Sequence, residues 1–344
     1  MNAITTALIS VAVSGLTEYG QKAMSEAYRS LKESLQKKNS NLDKNVKQLE
    51  SDPYSTKLHE LIENNIKYSG VDRDLDVRKL AIEVIESQKD HLRYHEKREQ
   101  IGNLWDKVSV IGQDLLMCSS DFHENFKTRS SQAYVICVDI RRSTDLMLKS
   151  RSPQLFAEFI VHVSNKLHEL ITKNFGIVDK STGDGIIGYF PDFYSGNDAG
   201  YLCLNAAEEC HAVFTKAYKE HRKCFSTVLA DIGLGIGVDY GTIHVEQIDR
   251  RIVVVGSPIV YANRLSNAEA GHTLVNQSAY ELLFKEYSSF FNFSDSKIEI
   301  KHEGSCWVYD VTRNAKKSGH KLPDWALVPA IGTDLARLKK YRNV

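Results

Sequence analysis

The feature that most constrains the fold is a change in texture along the chain. Up to about residue 110 apolar side chains recur every three or four positions, whereas beyond Ser131 short β-type runs alternate with long helical patterns. The first pattern predicts helices that must bury one stripe. The second predicts an α+β domain, in which strands and helices share one core.

Within the first region, Leu16, Tyr19, Ala23, Ala27, Leu31 and Leu35 mark an amphipathic helix. The segment "KKNSNLDKN" interrupts it. Shorter helical runs then follow around Leu58–Ile66 and Leu75–Ile85, introduced by Asp52-Pro53 and by "SGVDRD". The opening "MNAITTALISVAVSGL" has no basic start and meets Glu18 well short of a membrane span, so it reads as a buried or partner-facing helix. The charged stretches "SQKDHLRYHEKREQ" and "SSDFHENFKTRSSQ" are expected to mark the domain boundary. His91 and His95 lie one helical turn apart there, but with no third ligand nearby a solvated helix face is the better reading than a metal site. The expected division is a helical regulatory or dimerisation region over 1–128, an α+β domain over 129–312, and a tail over 313–344. With eight Lys/Arg against two Asp, that tail either packs back on the domain or docks a partner.

Lys+Arg and Asp+Glu balance at 44 each in 344 residues, which argues against bulk nucleic-acid binding and against a polybasic membrane surface. An anionic ligand would have to be met by a local cluster. Six scattered cysteines without a C-x-x-C pair suit reduced thiols and a cytoplasmic location.

Two acids stand where apolar strands begin or end. "VICVDIRRST" closes a buried run on Asp139, and "DKSTGDGIIGYF" puts Asp184 in a Gly-Asp-Gly turn just before Ile186–Phe190. Gly-Asp-Gly alone is an ordinary hairpin signal. Two strand-edge carboxylates 45 residues apart form a pattern suited to hard divalent ions on a polyphosphate, since magnesium keeps several waters and needs only one or two protein carboxylates.

The segment from about Ser131 to Thr312 resembles the catalytic domain of class III nucleotidyl cyclases, the adenylate and guanylate cyclase superfamily. "DIRRST" matches the family's D-I-x-G-F-T with Asp139 as first metal ligand, and "KSTGD" matches its second with Asp184. "VGSPIVYANRLS" resembles G-D-x-V-N-x-A-x-R-L, placing Arg264 on the arginine that stabilises the reacting phosphate. "IKHEGSCWVYDV" resembles the closing hairpin, placing Lys301 on the lysine that grips the terminal phosphates. The resemblance implies a ferredoxin-like α+β fold and a head-to-tail homodimer with composite sites. It also implies two divalent cations, Mg2+ or Mn2+, held by Asp139, Asp184 and the Ile140 carbonyl. The implied reaction converts a nucleoside triphosphate to its 3′,5′-cyclic monophosphate and pyrophosphate.

Departures from the pattern bear on the base. Lys180 keeps the adenine-type position, Ser257 replaces the expected Asp, Val260 replaces the ribose-orienting Asn, and Arg142 and Ser143 replace Gly-Phe. The same departures resemble the bacterial pyrimidine cyclases of Pycsar antiphage systems, whose product is read by a separate effector. A Lys180 donor beside a Ser257 acceptor suits cytosine slightly better than uracil, although a hydroxyl also donates. The expectation is therefore a CTP or UTP cyclase without stable membrane insertion. An adenylate cyclase and a catalytically silent nucleotide sensor are the alternatives.

Overall fold

Why the first hundred residues form helices is visible in what they bury. The computed structural model describes residues 2–13, 22–127, 129–248, 251–300, 304–314 and 322–327. Over the first compact unit's Met1–Gln100 segment five α-helices are described, the last ending one residue beyond it: α1 (Ala3–Val13), α2 (Lys22–Lys38), α3 (Ser40–Ser51), α4 (Thr56–Ser69) and α5 (Leu75–Ile101). Their apolar stripes meet in one core, in which Leu8, Leu31, Leu49, Ile62, Ile66 and Val77 are all fully buried. Each such aliphatic side chain contributes about 1.5–3 kcal/mol by leaving water.

Helix α1 buries Ile4, Leu8 and Val11, so the opening segment is a core helix over its described part. The expected helix from Leu16 begins outside the described residues and continues as α2. The interruption read over "KKNSNLDKN" shrinks to Asn39, because that side chain caps α3 by accepting from the Asn41 amide. Gly70 ends α4 in the left-handed conformation, φ 71°, that glycine adopts without strain. No described helix is long and apolar enough to cross a membrane.

The chain's compact units divide at Gln100/Ile101, the end of the first of the two charged stretches. The charged stretch before it is the exposed face of α5, which a helix can carry through without a break. Residues 101–127 belong with the second unit, Ile101–Pro329, because their aromatic and hydroxyl groups anchor there. Ser109 donates its amide to the Tyr194 hydroxyl at 3.1 Å, and the Phe122 and Phe126 rings lie 6.2 and 5.7 Å from the Tyr194 ring. This part comprises a 3-10 turn (Gly102–Lys107), α6 (Val110–Cys118) and α7 (Ser120–Glu124).

The sheet begins with β1 (Arg129–Arg141), followed by α8 (Ser143–Leu148), α9 (Pro153–Lys173), β2 (Ile177–Ser181), β3 (Gly185–Pro191), α10 (Asp192–Ser195) and α11 (Ala199–Glu220). Then come β4 (Gly233–Ile248), β5 (Arg251–Val255), α12 (Ser257–Leu265), β6 (Thr273–Asn276), α13 (Gln277–Tyr287), β7 (Phe291–Ile300) and β8 (Gly304–Arg313). The order is β2-β3-β1-β4-β6-β8-β7, with β5 paired to β4. The first four strands form the split β-α-β-β-α-β arrangement of a ferredoxin-like core, each antiparallel to its neighbour. The α+β expectation matches this arrangement. Strand β7 starts at Phe291, whose ring is buried, and its half-exposed "NFSDS" run is a strand through its pairing with β8.

Alternation along β1 assigns the two faces of the sheet. Ile136 faces α9, because a Cβ on its register partner Gly188 would touch both Ile136 and Ile171 of α9. Cys137, Asp139 and Arg141 therefore face the other way, toward α12. There Cys137 donates its thiol to Asn263 Oδ1 at 3.3 Å. Helix α12 reaches this face because β4 offers glycines: a Cβ on Gly235 would sit 2.3 Å from the Ser266 carbonyl oxygen, and one on Gly237 2.1 Å from that of Ala262. The tail is described at Leu322–Leu327, where the Trp325 indole donates to the Tyr194 carbonyl at 2.6 Å and packs on Phe122 and Phe175. None of the six cysteines is in a disulfide.

Candidate active site

Strand pairing brings the two acids to one edge. Asp139 is the register partner of Gly185, so Asp184 stands one residue beyond the paired end of β3. The turn that presents it is closed by the Thr182 amide donating to the Gly185 carbonyl at 2.9 Å, with Gly183 at φ 94°. Gly185 has no room for a side chain, because a Cβ would lie 2.5 Å from the Val138 carbonyl oxygen. That close approach seats the Asp184 turn against the end of β1.

Each carboxylate has a partner at or just beyond the end of β1. Arg141 donates from one nitrogen, Nη1, to Asp139 Oδ2 at 3.0 Å and to Asn267 Oδ1 at 3.2 Å. Ser143 donates its hydroxyl to Asp184 Oδ2. Arg142 lies between them at φ 59°, a left-handed conformation that costs any residue with a Cβ. It is held by Asp145 Oδ2 at 2.8 Å and by the Ala230 carbonyl at 2.9 Å. Burial, and next the nearby Asp184 charge, hold the Asp139 carboxyl above its ordinary pKa, with Arg141 pulling the other way.

These residues fit a hard cation. Two facing carboxylates, one of them raising the proton affinity of Asp139, are a donor set that a divalent ion would relieve, and each keeps an oxygen, Oδ1, outside the Arg141 and Ser143 bonds. Ile140 buries its side chain on the opposite face and can offer only its main chain here. Among the described residues no cluster of three or more His, Cys, Asp or Glu is placed to hold a metal, so any ion at this edge would complete its shell with water or substrate oxygen.

The other sequence-predicted residues lie apart from this pair. Arg264 is in the last turn of α12, its guanidinium 5.7 Å from the Tyr261 ring, and lines a cavity of about 600 Å³ with Asn267, His272, Lys297 and Asp310. Lys180, on β2, is 62% exposed in its side chain and stands 3.6 Å from Asp179 Oδ2. Ser257 opens α12 on the surface. Lys301 lies outside the described residues.

From the sequence, Arg141 could either steer a triphosphate or offset the acidic pocket, Asn267 was missed, and Ser143 stood only as a departure from Gly-Phe. The signal for Ser143 was its hydroxyl, a donor two residues beyond the end of β1. Nothing local marked Asn267, which is 126 residues from Arg141.

The family model of the Het-E N-terminal domain matches residues 1–127. No curated protein sequence matches the chain. Among solved structures, the chain is similar to the adenylyl cyclase CyaB from P. aeruginosa at 19% identity, covering 56% of this chain and 100% of that one with a TM-score of 0.49. It is similar to the guanylyl cyclase Cya2 at 17% identity, covering 57% and 98%, also with a TM-score of 0.49. A third is the guanylate cyclase domain of RhGC from Catenaria anguillulae in complex with GTP, at 17% identity, 54% and 98% coverage and a TM-score of 0.43.

Proposed function

We propose that the sheet unit is a class III nucleotidyl cyclase acting on a pyrimidine nucleoside triphosphate, CTP before UTP, and that its cyclic product is a second messenger read by a separate effector in antiphage defence. The observation that carries the cyclase reading is the juxtaposition of Asp139 and Asp184 at one sheet edge, with Ser143 and Arg141 bonded to them.

In this reading the ribose 3′-hydroxyl attacks the α-phosphorus and pyrophosphate leaves. Asp139, Asp184 and the Ile140 carbonyl would hold two divalent cations, Mg2+ or Mn2+, which when bound lower the hydroxyl's pKa and share the charge on the phosphates. Arg264 of a second copy, paired head to tail, donates to the phosphate on which charge builds. Its fork of donors stays charged and matches phosphate oxygens. Lys301 grips the terminal phosphates. Lys180 and Ser257 read the base edge, Lys180 as donor and Ser257 as donor or acceptor.

Purified protein given all four nucleoside triphosphates with Mn2+ tests this reading by chromatographic identity of the product. Cyclic CMP is expected. Cyclic AMP as dominant product overturns the pyrimidine assignment. Nucleotide binding without pyrophosphate release, unchanged in an Asp139→Ala/Asp184→Ala chain, replaces it with a silent sensor. Asp139→Asn is expected to slow cyclisation by about a hundredfold to a thousandfold, the worth of several kcal/mol of metal-assisted charge stabilisation.

A further inference from the structure

We propose that the 3-10 segment Gly102–Lys107 positions the base-reading side chain Lys180, with Lys107 as the positioning residue; this rests on the cyclase reading above. The segment follows directly on α5 and is anchored by the buried side chains of Leu104 and Trp105. It touches both β2 and β5. Strand β2 carries Lys180 and β5 leads within two residues to Ser257, so one short segment abuts the carriers of both proposed base contacts.

The contact with β2 is ionic and buried. Lys107 donates its ammonium to the main-chain carbonyl of Asp179 and lies 3.9 Å from Asp179 Oδ1, the two side chains being 14% and 7% exposed. Asp179 is where β2 slips its register on β3: Val178 pairs Gly188, Lys180 pairs Ile187, and Asp179 is the extra residue between. A bulge of this kind turns the strand and re-aims the next side chain. That next side chain is Lys180, whose ammonium stands 3.6 Å from Asp179 Oδ2.

One buried carboxylate thus lies between two ammonium groups, one inside and one at the surface. Burial, and to a lesser extent the nearby Lys180 charge, hold the Lys107 ammonium below its ordinary pKa, with Asp179 pulling the other way. Without the Lys107 charge, Asp179 keeps Lys180 as its nearer cation, which draws Lys180 inward and away from a base. The bulge carbonyl also loses the donor that holds it.

The test is full-chain steady-state kinetics with Mn2+ and CTP, UTP, ATP and GTP in turn, comparing wild type with Lys107→Met, Lys107→Arg and Asp179→Asn. Lys107→Met is expected to raise KM for the preferred nucleotide by about tenfold, the scale of one charge-assisted contact, and to narrow selectivity in kcat/KM by a similar factor. Its kcat is expected to stay within about threefold, and Lys107→Arg to restore both KM and selectivity. If Lys107→Met does not fold, Asp179→Asn carries the same expectation, since it removes the group that holds both ammoniums. A lowered Tm with KM and selectivity unchanged overturns the inference, leaving Lys107 a fold-holding contact. A wild-type chain that turns over none of the four nucleotides overturns the cyclase reading and this inference with it, whereas intact selectivity in active variants overturns this inference alone.

Discussion

Arg141 sets how strongly Asp139 can take a cation. Its guanidinium nitrogen already donates to Asp139 Oδ2 and is kept in place by Asn267 Oδ1, so an incoming divalent ion must compete with a charge-assisted bond. Removing the guanidinium charge lifts that competition. Arg141→Gln is therefore expected to tighten Mn2+ binding by about three- to tenfold, the range for one partly exposed ionic contact, read by the loss of free Mn2+ signal in electron paramagnetic resonance. Unchanged or weaker binding would count against the competition. At this scale Asp139 and Asp184 were legible because a carboxylate at the end of an apolar run has no packing reason to be there. Arg141, Ser143 and Asn267 were not, because a polar residue in a turn satisfies so many roles that only its bonded partner distinguishes them.

At the scale of elements, the site depends on how closely α12 approaches β4. The run "GLGIGVDYG" reads as a β-type segment, and its odd positions Gly233, Gly235 and Gly237 look like weak strand formers. Their effect is tertiary: they strip one face of β4 so that the backbone of α12 and of the turn after it can lie on the sheet. Gly237→Ala puts a methyl 2.1 Å from the Ala262 carbonyl oxygen, and the backbone must shift to admit it. A loss of about 3 kcal/mol or more is expected from urea unfolding. Because Arg264 rides on the same helix, activity should fall further than the remaining folded fraction explains. Gly241→Ala is the comparison, since the nearest atom there is a proline side-chain carbon at 3.0 Å, and a much smaller effect is expected. Strand β3 and the Ala133–Asp139 part of β1 could be read directly, their burial being almost unbroken between turn signals. The first half of β7 could not, since only its pairing with β8 makes it a strand.

At the scale of the molecule, the cyclase reading divides the chemistry between copies. Asp139 and Asp184 meet at the β1–β3 edge, while Arg264 lines the cavity with His272, Lys297 and Asp310. If the working site is composite, Asp139→Asn and Arg264→Ala chains are each inactive alone. Mixed and allowed to exchange, they should recover about a quarter of wild-type activity, because half of random pairs are mixed and each of those has one intact site of two. No recovery after demonstrated exchange would place both groups in one chain's site.

The sequence by itself determined the helical region, the α+β domain, most strand positions and the two acids at strand edges, because periodicity and turn residues are local signals that each segment carries alone. Where the units divide, which hydroxyl and guanidinium meet the acids, why β4 alternates glycine, and what Lys107 holds were decided only by the tertiary structure. Each of these depends on which distant segment arrives opposite, and a contact spanning 126 residues, as between Arg141 and Asn267, leaves no periodic trace in either segment.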